Sequence, residues 1–176
     1  MKTLAFLAAI VTSLAVAQAQ NFTVTMDGAQ DGGGGRMGSG SGTLTLNTTL
    51  DTLTFNNINF GGLSAPSTAG HIHGPGASGV SVGVLYPLGG TFFTLGYTYG
   101  SINGTLQLVA PTGGYDLPTQ ISQLDSGLWY INIHDSVFPG GEIRGQILPV
   151  PEPSALPLLG IGVCGLWLLM RRHRSR

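Results

Sequence analysis

The hexapeptide HIHGPG, residues 71–76, places two imidazoles one residue apart and then interrupts the chain with glycine, proline and glycine. Alternate side chains of an extended strand share a face, so His71 and His73 point the same way, as two ligands of one ion must. A third imidazole, His134, lies near the end of LWYINIHD, residues 128–135. There Trp129, Ile131 and Ile133 fall on one face and Tyr130, Asn132 and His134 on the other. The next segment, GEIRGQIL, sets Ile143, Gly145 and Ile147 on an apolar face with Glu142, Arg144 and Gln146 opposite. The intervening Pro139-Gly140-Gly141 is a turn signal at hairpin length, so His134 and Glu142 are expected close together.

Three imidazoles with one carboxylate form a donor set for zinc or copper(II). In that reading His71, His73 and His134 are ligands and Glu142 is a fourth ligand or an acceptor behind them; copper would make the site redox-capable. A structural reading stands beside it. His71 and His134 would donate to backbone carbonyls of the two adjacent turns, and Glu142 would pair with Arg144. The residue pattern leaves both open. No catalytic residue is assigned: the Gly-x-Ser-x-Gly spacing at Gly79-Val80-Ser81-Val82-Gly83 is followed by a strand pattern rather than the helix a nucleophile elbow needs, and no paired-carboxylate pocket is present.

The elements that must hold these residues are strands. Phe22, Val24 and Met26 alternate with polar residues, as do Leu44 and Leu46, then Leu53 and Phe55, then Ile58 and Phe60. Further strands are expected at 70–73, 80–85, 92–99, 105–108, 128–134 and 142–148. A single helix of at most two turns is expected after Asp116, with Pro118 early and Leu117, Ile121 and Leu124 at helical spacing. About eight one-faced strands predict an all-β fold, an antiparallel β-sandwich of immunoglobulin-like general form. The glycine-rich stretch DGGGGRMGSGSG, residues 31–42, reads as a flexible hairpin loop, since no Walker-type lysine and helix follow it.

Both ends of the chain look like addresses. Residues 1–20 carry Lys2, an apolar run and Ala17-Gln18-Ala19, the small-x-small pattern before a secretory cleavage point at Ala17 and Ala19. Residues 150–176 carry Pro151-Glu152-Pro153, an apolar segment and a basic cluster containing Arg171, Arg172 and Arg174. The apolar segment is expected as a short transmembrane helix with its basic end in the cytoplasm. Between the ends, residues 21–149 form the working domain. Two basic residues, Arg36 and Arg144, against seven acidic ones give it a formal charge of −5, which argues against a nucleic-acid partner. The only cysteine, Cys164, lies in the tail, so no disulfide staples the domain.

The order Pro-Glu-Pro, hydrophobic segment and arginine cluster closely resembles the PEP-CTERM sorting signal of Gram-negative bacteria. That resemblance implies a membrane-anchored precursor, an exosortase-type processing enzyme as partner, and delivery to the cell surface or extracellular polysaccharide matrix. AGHIHGPG, GVLYPL and GLWYINIHDSVFPGGEIRGQI together resemble the signature of the CHRD domain, with MDGAQ and GTLTLNTTLDTLTF similar to the family's opening strands. The match spans nearly all of residues 24–148 and departs at 31–42. It implies a β-sandwich outside the cytoplasm, without a defined biochemical activity. Two functions are therefore expected to compete. One is a binding or structural module that meets polysaccharide or protein, with Tyr97, Tyr99, Tyr115 and Tyr130 available for stacking. The other is a metalloprotein built on the histidines.

Overall fold

The structure is a computed structural model that describes residues 19–151. In chain order its elements are β1 (Ala19–Asp27), β2 (Ser39–Asn47), β3 (Thr52–Gly61), β4 (Ser67–His73), β5 (Val84–Pro87), β6 (Gly100–Gln107), α1 (Leu117–Asp125), β7 (Tyr130–Asp135) and β8 (Ile143–Pro149). All strand pairs are antiparallel, and the eight strands form one sheet in the order β5-β4-β7-β8-β1-β2-β3-β6. The expected two-sheet sandwich is thus corrected to one continuous, curled sheet. The curl brings its ends together: Tyr86 on edge strand β5 hydrogen-bonds through its hydroxyl to the Val109 carbonyl (3.3 Å), just beyond edge strand β6. Curling lets a single sheet cover its own apolar face, the problem a second sheet would otherwise solve.

Alternation places that face where the sequence indicates. Phe22, Val24, Met26, Leu44, Leu46, Leu53 and Phe55 are all buried in the concave core. The slip in phase between Phe55 and Ile58 is a β-bulge: Asn56 and Asn57 both face solvent, and Asn57 takes a positive φ of 52°. Helix α1 starts where expected, with the Asp116 carboxylate capping the Thr119 N–H at 2.9 Å, and at nine residues it runs slightly past two turns.

Two expected strands are displaced. Residues 92–99 do not extend, because Phe92 and Phe93 both turn to the core, meeting Phe55 and Phe60 edge-on at 5.1 and 5.2 Å. Consecutive inward side chains are incompatible with a two-residue period. Residues 80–83 are a loop and the strand begins at Val84, since Tyr130 and His73 hold Val82 from beneath. Residues 1–18 of the expected signal peptide lie outside the described residues, as do the expected transmembrane helix, Glu152, Pro153 and the arginine cluster; Ala19 and Gln20 open β1.

Candidate metal centre

β4 and β7 are adjacent, and their register sets His73 opposite Tyr130, His71 opposite Asn132 and Ala69 opposite His134. Ile72 points into the core, so the two histidines of β4 face outward together. The outcome is a triangle of imidazoles: one ligand nitrogen from each of His71, His73 and His134 lies within 4.8 Å of the other two. Ring centroids are 5.0 Å apart for His71 and His134 and 5.6 Å for His71 and His73.

Hydrogen bonds to carbonyls fix which nitrogen two of the rings offer. His73 Nδ1 lies 2.8 Å from the Val82 carbonyl and His134 Nδ1 lies 3.1 Å from the Pro139 carbonyl. A carbonyl only accepts, so both Nδ1 atoms carry hydrogen and both Nε2 atoms present lone pairs. His134 Nε2 is 3.1 Å from His71 Nδ1, whereas His73 Nε2 is buried with no partner at all. An unpartnered lone pair at the mouth of an imidazole triangle, with the opposite ring nitrogen tied to a carbonyl, is the arrangement of a metal-ligating histidine. A tetrahedral zinc at ~2.0–2.1 Å from each nitrogen holds them about 3.3 Å apart. The longest separation therefore shortens on binding, and His71, the half-buried ring, has room to move.

All three rings are held neutral. Burial lowers the pKa of each below the usual imidazole value, and neighbouring histidines add to the effect at His71 and His134, as Arg144 does at His73. Metal-free protein should therefore lose stability as pH falls. Unfolded imidazoles take up protons near about pH 6.5 while the folded ones still resist. The melting temperature is expected to be flat above about pH 7.5 and to drop through the weakly acidic range until the folded rings protonate too. A His73→Gln variant should shallow that slope; an unchanged slope would show the depressed imidazole does not contribute.

Glu142 is not among the converging groups. Gly141, at φ 130°, turns the chain so that the Glu142 carboxylate accepts from the Ser64 N–H (2.8 Å) and hydroxyl (2.7 Å). Burial alone would raise the pKa of neighbouring Asp135, but the N–H groups of Phe138 and Ala65 bond to its carboxylate, which is held low. The expected Glu142–Arg144 pair is absent as well: among the described residues the ion pair is Arg36 with Asp31. Arg144 instead lies 3.4 Å over the Tyr130 ring, which also stacks on His73 at 4.9 Å. Of the two backbone contacts in the structural reading, His134 makes its turn contact and His71 bonds to His134.

The face expected to be polar and open is covered. Tyr130 and Asn132 are buried, so Tyr130 is unavailable for stacking, while Tyr97 and Tyr99 remain exposed. Loop residues 76–82 close over β7 and β8, fastened by Arg144 to the Ala77 and Val80 carbonyls and by Gln146 to the Gly76 carbonyl. Sequence reasoning set Asn132 on the His134 face without a role and missed Asp31, which reaches the site through Asn132 Nδ2 at 3.4 Å.

Compared with known families, the chain matches the CHRD domain model over residues 22–147. This chain belongs to the CHRD domain family. The CHRD domain therefore includes all three histidines, every strand from β2 to β7 in full, and the Arg36–Asp31 pair. A second model, the PEP-CTERM protein-sorting motif, matches residues 149–174. The two together make this an exported protein directed to exosortase processing at a Gram-negative membrane. Neither the curated proteins nor the solved structures compared with the chain give a match.

Proposed function

We propose that this CHRD-domain protein is a metal-binding module of the cell surface or extracellular matrix, holding one zinc or copper ion through His71, His73 and His134. The observation that carries the reading is the buried, unpartnered Nε2 of His73 inside a triangle of neutral imidazoles. A buried polar atom without a partner is costly, and an ion would remove that cost. Two of the three rings already have the outer hydrogen bond that orients a ligand. With three protein donors the ion keeps a position for water or an external ligand.

A second reading, contact with polysaccharide or protein, is favoured by Tyr97 and Tyr99. They are 51% and 65% exposed and lie 5.9 Å apart, presenting two aromatic rings to solvent. The two readings are compatible on one domain.

Native mass spectrometry of untagged protein recovered outside the producing cell tests both destination and chemistry. The expected species lacks residues 1–20 and Arg171 to Arg176 and carries one zinc or copper ion. Released protein that retains the basic cluster would overturn the sorting proposal, and an ion-free species after zinc or copper is supplied would overturn the metal reading.

A further inference from the structure

The segment between β1 and β2, read from sequence as a flexible loop, is a built turn. Asp27 Oδ1 accepts the Gln30 N–H (2.8 Å), and the Gly33 N–H closes onto the Gly28 carbonyl at 2.7 Å. Gly32, Gly33, Gly34 and Gly35 all have positive φ, between 64° and 103°, a run that L side chains do not tolerate. Its product is the placement of Asp31 and Arg36 over the β7–β8 hairpin. Arg36 donates from Nε to the Gly141 carbonyl (2.9 Å) and lies 4.7 Å over the Phe138 ring. Asp31 Oδ1 accepts from Asn132 Nδ2 at 3.4 Å. Asn132 is the residue directly across the ladder from His71 and two before His134, and its Oδ1 is buried without a partner.

Charge makes this placement consequential. Among charged groups Arg144 and Asp31 act on His73; burial pushes the Asp31 pKa up, against the pull of Arg36 and Arg144, and its carboxylate is ion-paired with Arg36 at 3.7 Å. A divalent ion among three neutral imidazoles adds two positive charges beside two guanidinium groups. Asp135 and Glu142 turn their carboxylates to Ser64, Ala65 and Phe138, whereas Asp31 meets the histidine face through Asn132 and so is the carboxylate placed to oppose that charge.

We propose that Asp31, carried in by the glycine turn and seated on Asn132, is the counter-charge of the histidine site and biases it toward divalent over monovalent ions. The proposal rests on the metal-binding reading and adds a positioning residue to it. A counter-charge acts in proportion to ionic charge, whereas a purely structural carboxylate affects every ion alike.

The test is a competition titration of the mature protein with zinc(II) and, anaerobically, with copper(I), for wild type, Asp31→Asn and Asp31→Glu. Asp31→Ser substitutes if the asparagine variant does not fold. Asp31→Asn is expected to weaken zinc(II) about 10- to 100-fold, the range for an outer-shell change, and copper(I) by the square root of that, about 3- to 10-fold. Asp31→Glu should recover most of the zinc affinity. Wild-type zinc affinity in Asp31→Asn, or equal losses for the two ions, would overturn the proposal. Failure of wild type to bind either ion would instead overturn the underlying metal reading, and is visible before any variant is compared.

Discussion

His73→Ala lowers zinc or copper affinity by more than about 100-fold, beyond the ~10–100-fold that outer-shell changes cost. His73 is the ring whose ligand nitrogen is already stripped of partners, and it is 9% exposed, so no water replaces it cheaply. Its orientation is fixed twice, by the Val82 carbonyl and by stacking on Tyr130 at an interplanar angle of 2°. His71→Ala should cost less, because His71 is half-buried and its place is open to a water ligand. The metal-free His73→Ala protein should stay folded. It loses an unsatisfied atom, which offsets part of the cost of the ring-sized cavity and of the orphaned Val82 carbonyl, and the net loss is about 2–3 kcal/mol. Competition titration and metal-free melting check the pair, and a His73→Ala variant with near-native affinity would dismiss the triangle as a metal centre.

The second large effect is on the fold. Trp129→Ala is expected to cost about 3–5 kcal/mol, enough to unfold a domain with no disulfide. Trp129 is fully buried, packs against Tyr86 at 5.9 Å, and donates from its indole to Gln123 Oε1 at 3.1 Å. Truncation therefore opens a cavity and orphans a buried acceptor on α1. Denaturant unfolding measures the loss, and Trp129→Phe separates the terms: it refills much of the volume yet still orphans Gln123. A loss under about 1 kcal/mol for alanine would mean that the helix and sheet do not depend on this contact.

The strands and the histidine triangle were legible because both obey a two-residue period. Phe22, Val24 and Met26 announce a buried face, and the same rule turns HIH and the end of LWYINIH toward a common side. Periodicity gives the face of a residue and not its neighbours, so one curled sheet was read as two. It is silent about loops. Residues 76–82 and the glycine turn cover the outer face of β7, and neither has a pattern that marks it as a lid. Glu142 was misplaced by extending strand alternation through Gly141, where a positive φ breaks it. Asp31 stayed hidden for a related reason: four glycines erase the side-chain signal while fixing the backbone path.

β1 and β8 are neighbours in the middle of the sheet, and the Val150 N–H donates to the Asn21 carbonyl at 2.8 Å. The described chain therefore enters and leaves the domain at one corner, where the backbones of Asn21 and Val150 are bonded to each other. Force applied between the two ends of the domain would load the central seam between β1 and β8 before the outer strands β5 and β6.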